Sequence, residues 1–117
     1  MKYLILLMDE GDMTPWEEIS AEEKEEVMAQ HERFDQVCEE LDGVRILSAE
    51  ALQGPETATS VRTRGGEMTV SDGPYAEAVE HLGGFYLIEA PNFDTLLGAL
   101  KTLPPYGMDI RLVGEVV

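Results

Sequence analysis

His31 and Asp72 are the two residues of this chain whose types and placement suit acid/base chemistry. An imidazole changes charge near neutral pH, and a carboxylate that accepts the N–H of one ring nitrogen leaves the other free as a base or acid. The spacing around His31 sets it on the apolar stripe of a helix. The alternation around Asp72 sets it on the same strand face as Met68 and Val70. Two such groups on facing surfaces of a core would form a His–Asp dyad for proton transfer. They could equally pair only to satisfy each other, because buried polar groups are normally hydrogen-bonded. Both readings stay open at this point.

Other side chains could complete a binding site. Arg62 lies mid-strand and could hold a substrate carboxylate, or form a cross-strand or inter-protomer ion pair. Tyr75 follows the Asp72-Gly73-Pro74 turn, and Trp16 is the one large apolar residue of an acidic loop. With Arg62 they form the candidate substrate-binding set, although a Trp in a loop often only pins that loop to the core. His81, beside Leu82-Gly83-Gly84, reads as solvated. The run His31-Glu32-Arg33-Phe34-Asp35 departs from a zinc-protease helix because Asp35 stands where the second histidine belongs. No metal site is therefore expected. Gly83-Gly84 precedes a strand rather than a helix, the wrong context for a dinucleotide. No cofactor is expected either.

The elements that must position these residues follow from periodicity. Tyr3 to Met8 is a continuous apolar run of strand length, as a strand buried on both faces shows. Ser20-Ala21-Glu22-Glu23 is a capping box that starts a helix, along which Val27, His31, Phe34, Cys38 and Leu41 make one apolar face; Gly43 ends it. Val44 to Leu52 is extended. Gly65-Gly66 between two strand-like runs predicts a two-residue hairpin, since both glycines accept positive φ. That turn fixes a register of Arg64 opposite Glu67, Thr63 opposite Met68, Val61 opposite Val70 and Thr59 opposite Asp72. Asp72 then points with the apolar residues, toward the helix of His31. One or two helical turns are expected over 76–81, a buried strand over 84–90, and a second helix capped by Asn92 with Leu96, Leu97, Leu100 and Leu103 inward. A strand from Met108 to Val117 closes the chain.

The order is α+β, a ferredoxin-like βαββαβ arrangement with an extra central hairpin. At 117 residues it makes a single domain, 1–117, and the 44% hydrophobic content supports a folded core. Two helices cover one sheet face, so a second copy stacking sheet against sheet is the economical cover for the other, giving a homodimer. The net charge of −16, with eight Lys and Arg, argues against nucleic acid and anionic membranes as partners. The lone Cys38 calls for no oxidising compartment, no run approaches membrane-spanning length, and a cytoplasmic location is expected.

The chain resembles the YCII-related superfamily, in the branch called the DGPF-domain family. The resemblance rests on the first strand, the helix bearing His31, Glu50-Ala51-Leu52, Thr57 to Arg62, Asp72-Gly73-Pro74-Tyr75-Ala76-Glu77, and Leu82 to Ile88. It implies a dimeric α/β-barrel of ferredoxin-like protomers with an active-site histidine and aspartate, which map onto His31 and Asp72. A His31–Asp72 dyad would suit a small-molecule enzyme that transfers protons, of elimination or isomerisation type, since neither needs a redox cofactor. A non-catalytic dimer that binds a metabolite or a protein in regulation is the alternative. Two positions depart from the pattern: Tyr75 stands where the family has Phe, and Val79 where it commonly has Lys.

Overall fold

The computed structural model describes residues 1–9, 14, 16–76 and 81–114. The turns expected over 76–81 and the last residues of the final strand fall largely or wholly outside these. The elements are β1 (Lys2–Met8), α1 (Ala21–Glu40), β2 (Arg45–Ala51), β3 (Thr59–Arg64), β4 (Glu67–Asp72), β5 (Leu82–Glu89), α2 (Phe93–Leu100) and β6 (Gly107–Leu112), with single 3-10 turns at Trp16–Glu18 and Pro55–Thr57. No helix among them is long and apolar enough to cross a membrane.

Strands β2, β5, β1 and β6 form an antiparallel sheet in that order. With the β3–β4 hairpin set aside, this is the ferredoxin-like order, with the outer strands β2 and β6 flanking a central antiparallel pair. Alternation along the central pair decides which side is core. Tyr3, Ile5 and Leu7 on β1 and Gly84, Tyr86 and Ile88 on β5 are buried, whereas the residues between them are half-buried. The buried set meets Phe34 and Cys38 of α1 and Leu96, Ala99 and Leu100 of α2. Both central strands read as near-continuous apolar runs, yet only one face is covered by helices.

Both helices begin as their sequences require. The Ser20 hydroxyl accepts from the Glu23 amide at 3.1 Å and the Glu23 carboxylate accepts from the Ser20 amide at 3.3 Å. Asn92 caps α2 by accepting from the Thr95 amide at 2.8 Å. Of the leucines expected inward on α2, Leu96, Leu100 and Leu103 are buried, while Leu97 faces out and is 37% exposed. Leu97 follows Leu96 directly, and adjacent helical residues differ by about 100° in direction, so both cannot face the sheet.

The hairpin has the register its glycine pair predicts. Thr59 lies opposite Asp72, Val61 opposite Val70, Thr63 opposite Met68 and Arg64 opposite Glu67, and Gly65 and Gly66 have φ of 57° and 80°. What differs is its place. It forms its own two-stranded sheet, apart from the four-stranded one. Asp72 does share a face with Val70 and Met68, but that face is open: Met68 is 65% exposed and Val70 62%. Strand parity fixes which residues point together, whereas the layer that covers them depends on where the whole hairpin sits. The radius of gyration, 16.4 Å, exceeds the roughly 13 Å of a compact domain this long, as expected of a body with a projecting arm.

Two glycines predict opposite outcomes for one substitution. A Cβ on Gly84 would stand 2.8 Å from the Glu50 carbonyl oxygen of the neighbouring strand, so Gly84→Ala should cost about 1–3 kcal/mol through overpacking. Gly98 lies in α2 with nothing near its Cβ position, so Gly98→Ala should stabilise by about 0.5–1 kcal/mol. Urea denaturation of the two variants beside the wild type checks both signs.

Candidate functional site

His31 sits midway along α1 on the stripe that faces the sheet, half-buried. Across from it, two tyrosines project from the covered sheet face. Tyr86 belongs to the inward set of β5, and Tyr106 immediately precedes β6, where Leu7 pairs with Met108 and Met8 with Gly107. The Tyr86 hydroxyl lies 2.7 Å from Nδ1 of His31, and the Tyr106 hydroxyl lies 3.0 Å from Nε2. Both ring nitrogens are thus engaged by phenols. Phe34, one turn along α1, packs edge-on against Tyr86 at 5.0 Å and closes the inner end of the row.

Burial lowers the His31 pKa below its ordinary 6.5, and this outweighs the opposing pull of Asp35 on the same helix. The ring is therefore neutral at pH 7, with one N–H and one bare nitrogen. Hydrogen-bond accounting chooses between the tautomers. Tyr86 is buried, and His31 is the partner of its hydroxyl. If Nδ1 carried the proton, the Tyr86 O–H would have no acceptor among the described residues, at a cost of about 1–3 kcal/mol. With the proton on Nε2, Tyr86 donates to Nδ1 and Nε2–H donates to the Tyr106 oxygen. The Tyr106 O–H is then left to donate outward, from a half-buried position. The row acquires a direction, from the buried phenol through the imidazole to the phenol at the rim. Burial also raises both phenols, Tyr86 the more strongly, and Tyr106 feels Asp9 in addition. Neither ionises near neutral pH. Cys38, one turn beyond Phe34, is buried and pushed up to about 11 by desolvation, which makes it a poor nucleophile.

The other candidate residues lie elsewhere. Asp72 is exposed at the base of the hairpin arm, and neither nitrogen of His31 is bonded to it within the chain. Arg62 and Tyr75 hold each other on that arm: the guanidinium donates to the Tyr75 carbonyl oxygen at 3.0 Å and stands 4.4 Å from the centre of its ring. Tyr75 borders a surface groove of about 280 Å³ shared with Leu52, Pro55, Thr59, Pro74 and Leu82. Trp16 is 46% exposed, with the Lys24 ammonium over its ring at 5.5 Å. Sequence reasoning missed Tyr86 and Tyr106. Tyr86 was hidden in an apolar run whose alternate members are hydrophobic core. Its signal was parity with Ile88, which puts a hydroxyl on the face that receives His31.

Residues 1–115 match the YCII-related domain. The chain belongs to that family. Nothing among curated proteins matches it. In this YCII-related domain the histidine of the resemblance is the one clasped by two phenols, and the aspartate of the resemblance is carried on the arm.

The neutral ring has a consequence for stability. Because the native pKa of His31 is depressed, the unfolded chain takes up a proton near pH 6.5 while the native one does not. Stability that this group contributes is thus full above that pH and declines as pH falls toward the native value. The stability difference between wild type and His31→Gln, followed by urea denaturation from pH 8 to 5, should be constant at the top of that range and shrink below pH 6.5. A difference that grows on acidification would mean a charged native ring.

Proposed function

We propose that this YCII-related domain is a small-molecule enzyme that works by proton transfer, with His31 presenting its polarity to a ligand through the Tyr106 hydroxyl. The observation that carries the reading is the neutral imidazole held at both nitrogens with its chain of donors aimed at the rim. The second phenol satisfies Nε2 and leaves its own O–H free to donate to a ligand at the rim. Isomerisation or elimination suits such a row, since each moves protons without a redox cofactor. The charge of −16 disfavours an anionic ligand, so the molecules to expect are neutral or cationic.

The dimer belongs to the same proposal. On the sheet face away from the helices, Leu4, Leu6, Phe85 and Leu87 are half-buried neighbours across β1 and β5, and Lys2, Arg45, Glu89, Asp109 and Arg111 surround them. An apolar centre with a charged rim is the anatomy of a protein interface. A second copy stacked there would complete a barrel of two sheets. Asp72, Arg62 and Tyr75 would join the rim of a His31 site from the arm of that second copy, with Asp72 acting beside the row and not on a ring nitrogen, since both are taken by phenols. The non-catalytic alternative, a regulatory binding dimer, draws on the open apolar face of the arm, where Val61, Met68 and Val70 stand exposed.

Two measurements test these readings. A panel of small neutral compounds with activated C–H groups, incubated in D2O and followed by NMR, should include at least one that exchanges only with protein present. His31→Gln should slow that exchange by about 10²-fold; an unaffected rate would remove His31 from the reaction and favour the binding role. Sedimentation at micromolar concentration should give a dimer for wild type and a monomer for Leu87→Lys, and a monomeric wild type would remove the barrel.

A further inference from the structure

Asp9 is the carboxylate that the fold brings to the covered side of the sheet beside the His31 row. It continues the alternation Tyr3, Ile5, Leu7 past the end of β1. Met8 and Gly107 are the last pair of β1 and β6, so Asp9, which follows Met8, and Tyr106, which precedes Gly107, leave the sheet at the same end. Its amide donates to the His81 carbonyl oxygen at 2.7 Å, which holds the backbone in place.

The neighbouring strand makes room for it. Between Leu7 and Met8 the register with β5 slips, from Gly84 to Leu82, leaving Gly83 as the extra residue of a bulge. A Cβ on Gly83 would stand 3.0 Å from Oδ2 of Asp9, so the carboxylate rests over the bare glycine. Bulges of this kind commonly re-aim a side chain next to an active site. The glycine pair thereby divides its work, Gly84 admitting the β2 backbone and Gly83 admitting the Asp9 carboxylate.

Three ionisable groups act electrostatically on this carboxyl or feel it. His81 draws its pKa down and Glu17 pushes it up, while desolvation, the largest influence, raises it. Its own charge holds the Tyr106 phenol up. A carboxylate so raised is a better base than an ordinary one, and it remains open to solvent on the rim.

We propose that Asp9 is the catalytic base of the site, taking a proton from a carbon next to the carbonyl of a small neutral ligand whose oxygen accepts from Tyr106. This rests on the proton-transfer reading above and names its substrate class. In the step, the C–H bond breaks and its proton passes to a carboxylate oxygen of Asp9, giving the neutral acid. The electron pair moves through the new C–C double bond to the carbonyl oxygen, where the Tyr106 O–H stabilises the negative charge. Return of the proton from Asp9 to the same carbon, with the electron pair moving back from the oxygen, completes an exchange. Where that carbon carries a hydroxyl, return of the proton to the former carbonyl carbon, with the hydroxyl proton passing to the carbonyl oxygen as the new C=O forms, completes an isomerisation. Neither outcome needs an external oxidant or reductant. A carboxylate base opposite a neutral hydrogen-bond donor is a proven division of labour for enolisation, and a neutral imidazole is a suitable backing for the donor.

Hydroxyacetone in D2O serves as the probe, with deuterium incorporation at the carbon acid followed by NMR for wild type, Asp9→Asn, His31→Gln and the loop control Asp42→Asn. Wild type and the control should exchange equally, and Asp9→Asn should lose about 10²–10⁴-fold with amide shifts of β1 and β5 otherwise retained. Exchange preserved in Asp9→Asn but lost in His31→Gln overturns the base assignment and leaves the His31 reading standing. Exchange absent from wild type overturns both. A second readout needs no turnover: the Tyr106 phenol, followed by its ring carbon signal, should titrate at lower pH in Asp9→Asn than in wild type. An unmoved titration overturns the pairing of Asp9 with the row.

Discussion

A half-buried imidazole with both nitrogens occupied is the constraint around which the rest of this structure is arranged. Burial removes water from His31, so each nitrogen needs a protein partner, and the ring must be neutral for the desolvation to be tolerable. The two phenols meet that need at 2.7 and 3.0 Å. Each comes from a different strand, Tyr86 from the centre of β5 and Tyr106 from the entry to β6. The histidine therefore ties α1 to two strands that flank β1 on opposite sides. Its place on the helix, three residues before Phe34 and seven before Cys38, is what lets one side of α1 carry both the core contacts and the polar row.

The geometry of the sheet decides which end of the row is open. Moving from Ile5 toward Asp9, the covered face changes from aliphatic residues to a carboxylate, while β5 loses its side chains at Gly84 and Gly83. Core packing gives way to a polar rim within two residues of the same strand. A side chain at Gly84 would strike the β2 backbone, and one at Gly83 would strike Asp9. The two glycines are adjacent for separate reasons, one serving strand pairing and the other the rim.

Much of the fold was legible in the sequence because it is local. The capping box, the Asn92 cap and the Gly65-Gly66 turn each act through neighbours a few residues away, and the hairpin register followed residue for residue. The site was legible in part. Periodicity put His31 on the inward face of α1, and parity put Asp72 with Met68 and Val70, both as observed. What local rules do not contain is the position of the hairpin relative to the main sheet, so the face shared by Asp72 proved to be an open one. The partners of His31 lie 55 and 75 residues away, on strands whose order in the sheet differs from their order in the chain. Identifying them takes the sheet register, and the slip at Gly83 that aims Asp9 is itself a departure from regular alternation.

The surface charge and the chemistry of the row are nearly independent, which bears on what the site can do. Asp35 is an exposed carboxylate on the same helix, and its field would favour a protonated His31. Desolvation opposes it and is the larger effect. The exposed acids that make up the charge of −16 are screened over roughly 8 Å at physiological salt, so they act weakly on a ring enclosed by Tyr86, Phe34 and Tyr106. A neighbouring carboxylate by itself favours the charged form of a histidine. Here burial keeps one neutral, and a neutral imidazole donating through a phenol can polarise a carbonyl oxygen without presenting a full positive charge. On the proposed reading, the acidic exterior would bias which molecules approach, and the buried row would set how they are handled.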